Sequence, residues 1–200
     1  MADQRFLSRS RKQWRNILLM PLFFVFVLLS GCATPTTSAT FRVLDAETKQ
    51  PIEGAVALAH WIGYKGIPGF YHGYTAGVVE DVSDSEGKLT ISRDSGLGTP
   101  HLKVYKPGYV GWDSRFIYLG YYENDIQIPR LIKRQSFSMK DQDILLEPWK
   151  DGKYNYISHG SFIEDNVMFS DIGMSTQNSV YRKAIEHEIP FRRRERRNVD

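Results

Sequence analysis

The sequence predicts a mainly β chain, a single β-sandwich followed by a C-terminal helical appendage. Three observations carry this. Between Thr40 and Trp149, short runs of β-branched, aromatic and aliphatic residues alternate with polar ones at period 2. Most of these runs are closed by Gly, Pro, Asp or Ser in turn-forming order. From Val180 onward the apolar residues change to a spacing of three and four, the mark of one helix face.

In chain order, residues 1–31 come first. Arg5, Arg9, Arg11, Lys12 and Arg15 face a single acid, Asp3, and residues 17–30 carry no charge. A basic start and a short apolar run describe a secretory signal peptide. A helix crossing the hydrocarbon needs about 20 apolar residues; this run is shorter and Pro21 breaks it. "LSGC" at 29–32 resembles the lipobox of bacterial lipoproteins. The resemblance implies that the Cys32 thiol receives a diacylglyceryl group, that the leader is cut before it, and that the new N-terminus is acylated. An uncleaved signal anchor is the alternative. Ala33, rather than Asp, follows the cysteine, which in a Gram-negative host implies the outer membrane, facing the periplasm. Cys32 is the only cysteine, so no internal disulfide is possible. Residues 32–39, small and polar with Pro35, are expected to be a tether.

The body is expected over residues 40–149. Phe41 and Val43 alternate with Arg42; "DAETKQPIEGA" turns; Ala55 to Trp61 alternates alanine with Val56, Leu58 and His60. Val78, Glu80 and Val82 share a strand face before "SDSEG", where Gly87 supplies positive φ, and 88–92 return. "HLKVY" is turned by Pro107-Gly108. Further strands fit "SRFIYLGYY" and "QDILLEPW". The turn residues Pro51, Ile52, Gly54 and Ala55, then Asp84 and Gly87, then Gly108 and Tyr109, resemble the carboxypeptidase regulatory-like domain. That resemblance implies a prealbumin-like (transthyretin-like) sandwich, which in the name-giving peptidases does no chemistry. Ser83 and Leu89 depart from the usual Thr and Phe, and about twenty residues after Trp61 are additional.

Residues 150–190 are expected to be an irregular segment, with Phe162, Ile163, Val167, Met168 and Phe169 able to dock, followed by a helix. Ser175, Thr176 and Ser179 are possible caps, and Pro190 is expected to end the helix. Residues 191–200 form a basic tail, expected to fray, with anionic lipid headgroups or acidic cell-wall polymers as its alternative contact.

Without residues 1–31, 21 basic and 22 acidic residues remain of the chain's 26 and 23. Residues 32–190 hold 16 basic and 20 acidic, which speaks against nucleic-acid binding. Asp81, Asp84 and Glu86 lack calcium-loop spacing, and His60 with His72 lacks a third zinc ligand. No zinc-peptidase or nucleophile-elbow motif occurs, so neither catalysis nor a cofactor or metal is implied. The candidate contact surface is aromatic: Trp61, Tyr64, Phe70, Tyr71 and Tyr74 in a Gly-rich insertion, with Tyr118, Tyr121 and Tyr122. Such residues suit a protein contact or stacking on sugar rings; the bland alternative is that they cover an open sandwich edge. The expected function is a non-catalytic, lipid-anchored envelope module that binds or scaffolds protein. A glycan-binding module stands second and a polymer hydrolase third.

Overall fold

A computed structural model describes residues 36–94, 97–122, 125–135, 137–164 and 179–197. The expected signal segment, residues 1–31, and Cys32 lie outside the described residues, as do Val167, Met168, Phe169, Ser175 and Thr176.

Nine strands are described: β1 (Thr36–Asp45), β2 (Val56–Ile67), β3 (Phe70–Val82), β4 (Lys88–Asp94), β5 (His101–Tyr105), β6 (Trp112–Asp113), β7 (Phe116–Tyr122), β8 (Asp125–Lys133) and β9 (Gln142–Leu146). They form sheets ordered β4-β1-β9 and β3-β2-β5-β6, plus the pair β7-β8. Only β1–β9 pairs in parallel among them. The period-2 pattern becomes the core. Ala39, Phe41, Val43, Leu89, Ile91, Ile144 and Leu146 of the first sheet meet Ala57, Ala59, Trp61, Leu102 and Val104 of the second. The fold is a β-sandwich.

The second sheet is covered on its other face as well. Val56, Leu58 and Tyr105 pack against Tyr118, Tyr154, Phe162, Ile163, Tyr181 and Ile185. Most of these belong to β7 and to the helices α1 (Tyr156–Glu164) and α2 (Val180–Glu186). Small alanines face the sandwich interior and larger residues face the helices, so residues 56–61 are buried without a break. Two buried faces read as a continuous apolar run, as in sheets covered on both sides.

Three expectations change. β1 begins at Thr36, not Thr40, because 36–39 pair with 91–94 of β4. Residues 156–164, expected to be irregular, form α1, capped by Asn155, whose side chain accepts from the Ile157 and Ser158 N–H groups at 2.9 Å each. Pro190 does not end a helix; it sits in the first turn of α3 (Ile189–Arg197), where its missing N–H costs nothing. The tail is therefore helical through Arg197. Of the possible caps, Ser179 serves α2, and the Glu80 carboxylate accepts from the Val180 and Tyr181 N–H groups, ionic stabilisation where the helix dipole is positive.

Register gives the sandwich two distinct ends. β3 runs away from the β2–β3 turn, β4 returns, and Thr36 pairs with Asp94 at the close of β4. Thr36, the β2–β3 turn and the start of β5 therefore share one end. Ala39 and Trp61 are the core residues nearest it in β1 and β2.

Candidate functional site

Beyond Trp61, β2 loses its β5 neighbour, whose pairing stops at His60–His101. A register shift between Trp61 and Ile62 follows, and residues 62–75 continue as a two-stranded ribbon. Its turn is Pro68-Gly69, with Gly69 at φ 89°, suited to a tight two-residue link. Directly paired residues share a face. One face thus carries Ile62, Tyr64 and Tyr71, the other Lys65, Ile67, Phe70, His72 and Tyr74.

Both faces meet solvent. Tyr64 is 71% exposed, Ile67 66%, Phe70 78% and Tyr71 63%, while Tyr74 is 44% exposed. Each tyrosine stands opposite a glycine: Tyr74 across from Gly63, Tyr64 from Gly73, Tyr71 from Gly66. The Tyr74 ring lies over Gly63 so closely that a Cβ there would meet Cζ at 2.6 Å. Lys65 Nζ sits 5.2 Å from the Tyr74 ring centre, a cation–π distance. These aromatics do not cover an open edge of the sandwich; they stand beyond it.

Two of the expected surface residues are core. Trp61 is 3% exposed and its indole N–H donates to the Gly98 carbonyl at 2.9 Å. It precedes the register shift, so its side chain stays inside the sandwich. Tyr118 is also 3% exposed. It stacks on Phe162 with ring centres 5.4 Å apart and bonds to Ser158 Oγ at 2.7 Å. Burial pushes its phenol up to about 12. The α1 layer, unforeseen in sequence, is what encloses it. Tyr121 and Tyr122 lie in β7, with side chains outside the described residues. The structure therefore joins Tyr64, Phe70, Tyr71 and Tyr74 in one element and adds Ile62 and Ile67, which an aromatic search passes over.

A basic cluster occupies the same end. β6 runs antiparallel to β5, and Phe116 pairs with Lys133, which brings Arg115, Lys133 and Arg134 around a cavity of about 350 Å³ floored by Phe116 and Phe137. Arg134 is pinned, with Nε donating to the Asp113 carbonyl at 2.8 Å and its guanidinium 4.5 Å over Trp112. Arg115 and Lys133 make no ion pair among the described residues. The cluster is legible only once β7 and β8 are paired.

The buried titratable groups are tied up in packing. His101 Nε2 donates to Asp113 Oδ2 at 2.6 Å, while Asp113 Oδ1 accepts the Arg115 and Phe116 N–H groups. Burial alone would raise the Asp113 pKa, but these bonds and the Lys103 charge hold it below the usual carboxylate range. Lys103 Nζ donates to the Phe162 and Ile163 carbonyls at the C-terminal end of α1, where a cation is favoured. Burial lowers both His101 and its neighbour His60, the latter to about 4. On the same helix-covered face of the sheet, Glu188 Oε1 accepts from Tyr105 Oη and His159 Nδ1, both at 2.8 Å. His159 Nε2 accepts from the Gly111 N–H at 2.8 Å, so the ring is held as the neutral Nδ1–H tautomer. Neither cluster offers a free nucleophile beside a base. Among the described residues no group of three or more His, Cys, Asp or Glu is placed to hold a metal. His60 lies beside His101, whereas His72 lies on the ribbon.

The chain is thus a β-sandwich with a helical layer and a projecting apolar ribbon. No protein-family model matches it, and no curated protein does. Among solved structures it is similar to the C-terminal domain of the shaft pilin SpaA from Lactobacillus rhamnosus GG, at 19% identity and TM-score 0.28, over 57% of this chain and 99% of that one. It is also similar to 3-chlorocatechol 1,2-dioxygenase from Rhodococcus opacus 1CP, at 14% identity and TM-score 0.33, over 60% of this chain and 62% of the enzyme. Hydroxyquinol 1,2-dioxygenase from Pseudomonas putida DLL-E4 gives 16% identity and TM-score 0.31, over 57% of each chain. The match spans less than two thirds of either dioxygenase. At these scores the likenesses carry no argument, and the fold stands on the strand pairing described above.

Proposed function

We propose that this chain is a non-catalytic, lipid-anchored scaffold module of the cell envelope, with the β2–β3 ribbon as its contact element. The carrying observation is that ribbon: apolar side chains exposed on both faces of a paired element that adds nothing to the core. Large apolar groups gathered in the open mark interaction surfaces. The enclosed His–Asp–Lys and Tyr–Glu–His clusters agree with a structural role, since a catalytic group must reach a substrate. The lipobox-like "LSGC" supports the anchor, and the turn residues at 51–55, 84–87 and 108–109 support kinship with carboxypeptidase regulatory-like domains. Among the described residues no helix is long and apolar enough to cross a membrane.

The test of the anchor is mass spectrometry of the protein recovered from membranes. A diacylglyceryl-modified Cys32 at the mature N-terminus is expected, and Cys32→Ala should leave full-length precursor without lipid. Normal processing of Cys32→Ala, or an unmodified Cys32 in the wild type, would sink the lipoprotein reading.

A further inference from the structure

We propose that the end of the sandwich bearing the ribbon docks onto the anionic bilayer surface that holds the anchor, with Ile67 and Phe70 entering the headgroup region. The location of that surface rests on the lipid-anchor reading of Cys32; the nature of the contact rests on the ribbon itself.

The side chains follow the order of a membrane interface. At the tip, Ile67 and Phe70 flank Pro68-Gly69 with no charge among the four. Behind them stand Tyr64, Tyr71 and Tyr74, rings with an apolar body and a polar end, the type enriched where hydrocarbon meets water. Lys65 lies among them, and its apolar stem lets the ammonium reach back to headgroups. Among the described residues the outer edges of the ribbon are unpaired, and backbone polar groups are not tolerated in hydrocarbon. The contact is therefore confined to the headgroup and acyl boundary, as for other interfacial elements. A groove in a protein partner would bury one face of the ribbon and leave the other wet; insertion by the tip covers both faces at that end.

Charge points to the same end. Arg115 and Lys133, free of ion pairs among the described residues, sit with Arg134 beside the start of β5, at the end where the ribbon leaves the sheet. Basic groups near an anionic leaflet are drawn to it.

Reach agrees as well. Residues 62–67 extend the ribbon about 20 Å past Trp61, at about 3.3 Å per strand residue. From Cys32 to Ala39, the first core residue of β1, seven residue steps span at most about 25 Å. An acyl chain at Cys32 and the ribbon tip can thus meet one surface together.

The experiment places a reporter at the tip. Phe70→Trp is made in the full-length gene product, which is recovered in detergent from the membranes of its host. It is then reconstituted into vesicles of equal parts phosphatidylcholine and phosphatidylglycerol. The fluorescence added over wild type is expected to be blue-shifted and quenched by phospholipids brominated on their acyl chains. Arg115→Glu with Lys133→Glu, in the Phe70→Trp background, should reduce that quenching. Added emission that stays at its aqueous wavelength and escapes quenching, on a chain whose Cys32 carries lipid, overturns the docking. Crosslinking of position 70 to a protein in intact cells, without lipid quenching, overturns it too and assigns the ribbon to a protein partner. An unmodified Cys32 overturns the anchor alone, because the tip reporter reads the ribbon independently of it.

Discussion

The sharpest prediction separates two aromatic residues ten positions apart. Trp61→Ala empties a site in the sandwich core: its ring packs among Ala39, Ala59 and Leu102, and its N–H holds the Gly98 carbonyl. Truncating a buried Trp costs about 3–5 kcal/mol. For a domain of this size each kcal/mol moves Tm by about 2–4 °C, so a fall of roughly 6–20 °C is expected. Tyr71 has no such support; it stands across from Gly66 and is mostly exposed. Its replacement by Ala should remain within about 0.5 kcal/mol, the range of ordinary surface changes, or about 2 °C. Differential scanning calorimetry and urea unfolding of both variants read the difference. A Tyr71→Ala loss as large as that of Trp61→Ala would refute the placement, because it would make the ribbon aromatics part of the core.

Two further predictions concern the enclosed clusters. Glu188→Ala should cost about 1–3 kcal/mol for each buried donor left unsatisfied, since Tyr105 Oη and His159 Nδ1 both lose their acceptor; a change in urea midpoint equivalent to less than 1 kcal/mol would count against the helical layer being held this way. Stability should also fall as pH drops from about 6.5 to about 4. Above that window His60 is neutral in both states; within it the unfolded chain takes up the proton while burial keeps the folded ring neutral, so the unfolded state gains by up to about 3 kcal/mol. His101, also lowered by burial, acts in the same direction, and a urea midpoint that does not change between pH 7 and pH 4.5 would contradict both.

Local chemistry made the sandwich legible in sequence. Phe41 and Val43, Leu102 and Val104, and Ile144 and Leu146 each repeat at period 2, and each pair lies in the core. The 83–87 turn was equally legible: Asp84 Oδ1 accepts the Glu86 and Lys88 N–H groups, and Gly87 has φ 74°. What escaped was anything set by long-range packing. The α1 helix carries Ser158, Gly160 and Ser161 and shows little amphipathic pattern, because it is wedged between β7–β8 and the other helices and buried on several sides. Composition alone could not divide the aromatics. Trp61 and Tyr64 lie three residues apart in one strand, and the register shift between Trp61 and Ile62 separates core from ribbon.

The ribbon's energetics bear on what it is for. The strands of the ribbon carry Gly63, Gly66 and Gly73, glycine within a strand weakens it by about 0.5–1 kcal/mol relative to Ala, and an isolated hairpin is marginal in water. The tyrosine rings laid across Gly63 and Gly73 return part of that cost, yet among the described residues none of 62–75 belongs to either core cluster. Burying Ile67 and Phe70 at a surface would contribute about 1.5–3 kcal/mol each. That is too little to recruit a free protein, but it would be ample for a chain anchored as proposed, since a tethered contact works at a high effective concentration. Two or more acyl chains on Cys32 would already give stable attachment, so under the docking proposal the ribbon would contribute orientation. Tip and basic cluster on the lipid, as proposed, would hold the opposite end, with the turns at 46–55 and 83–87, outward at a fixed attitude.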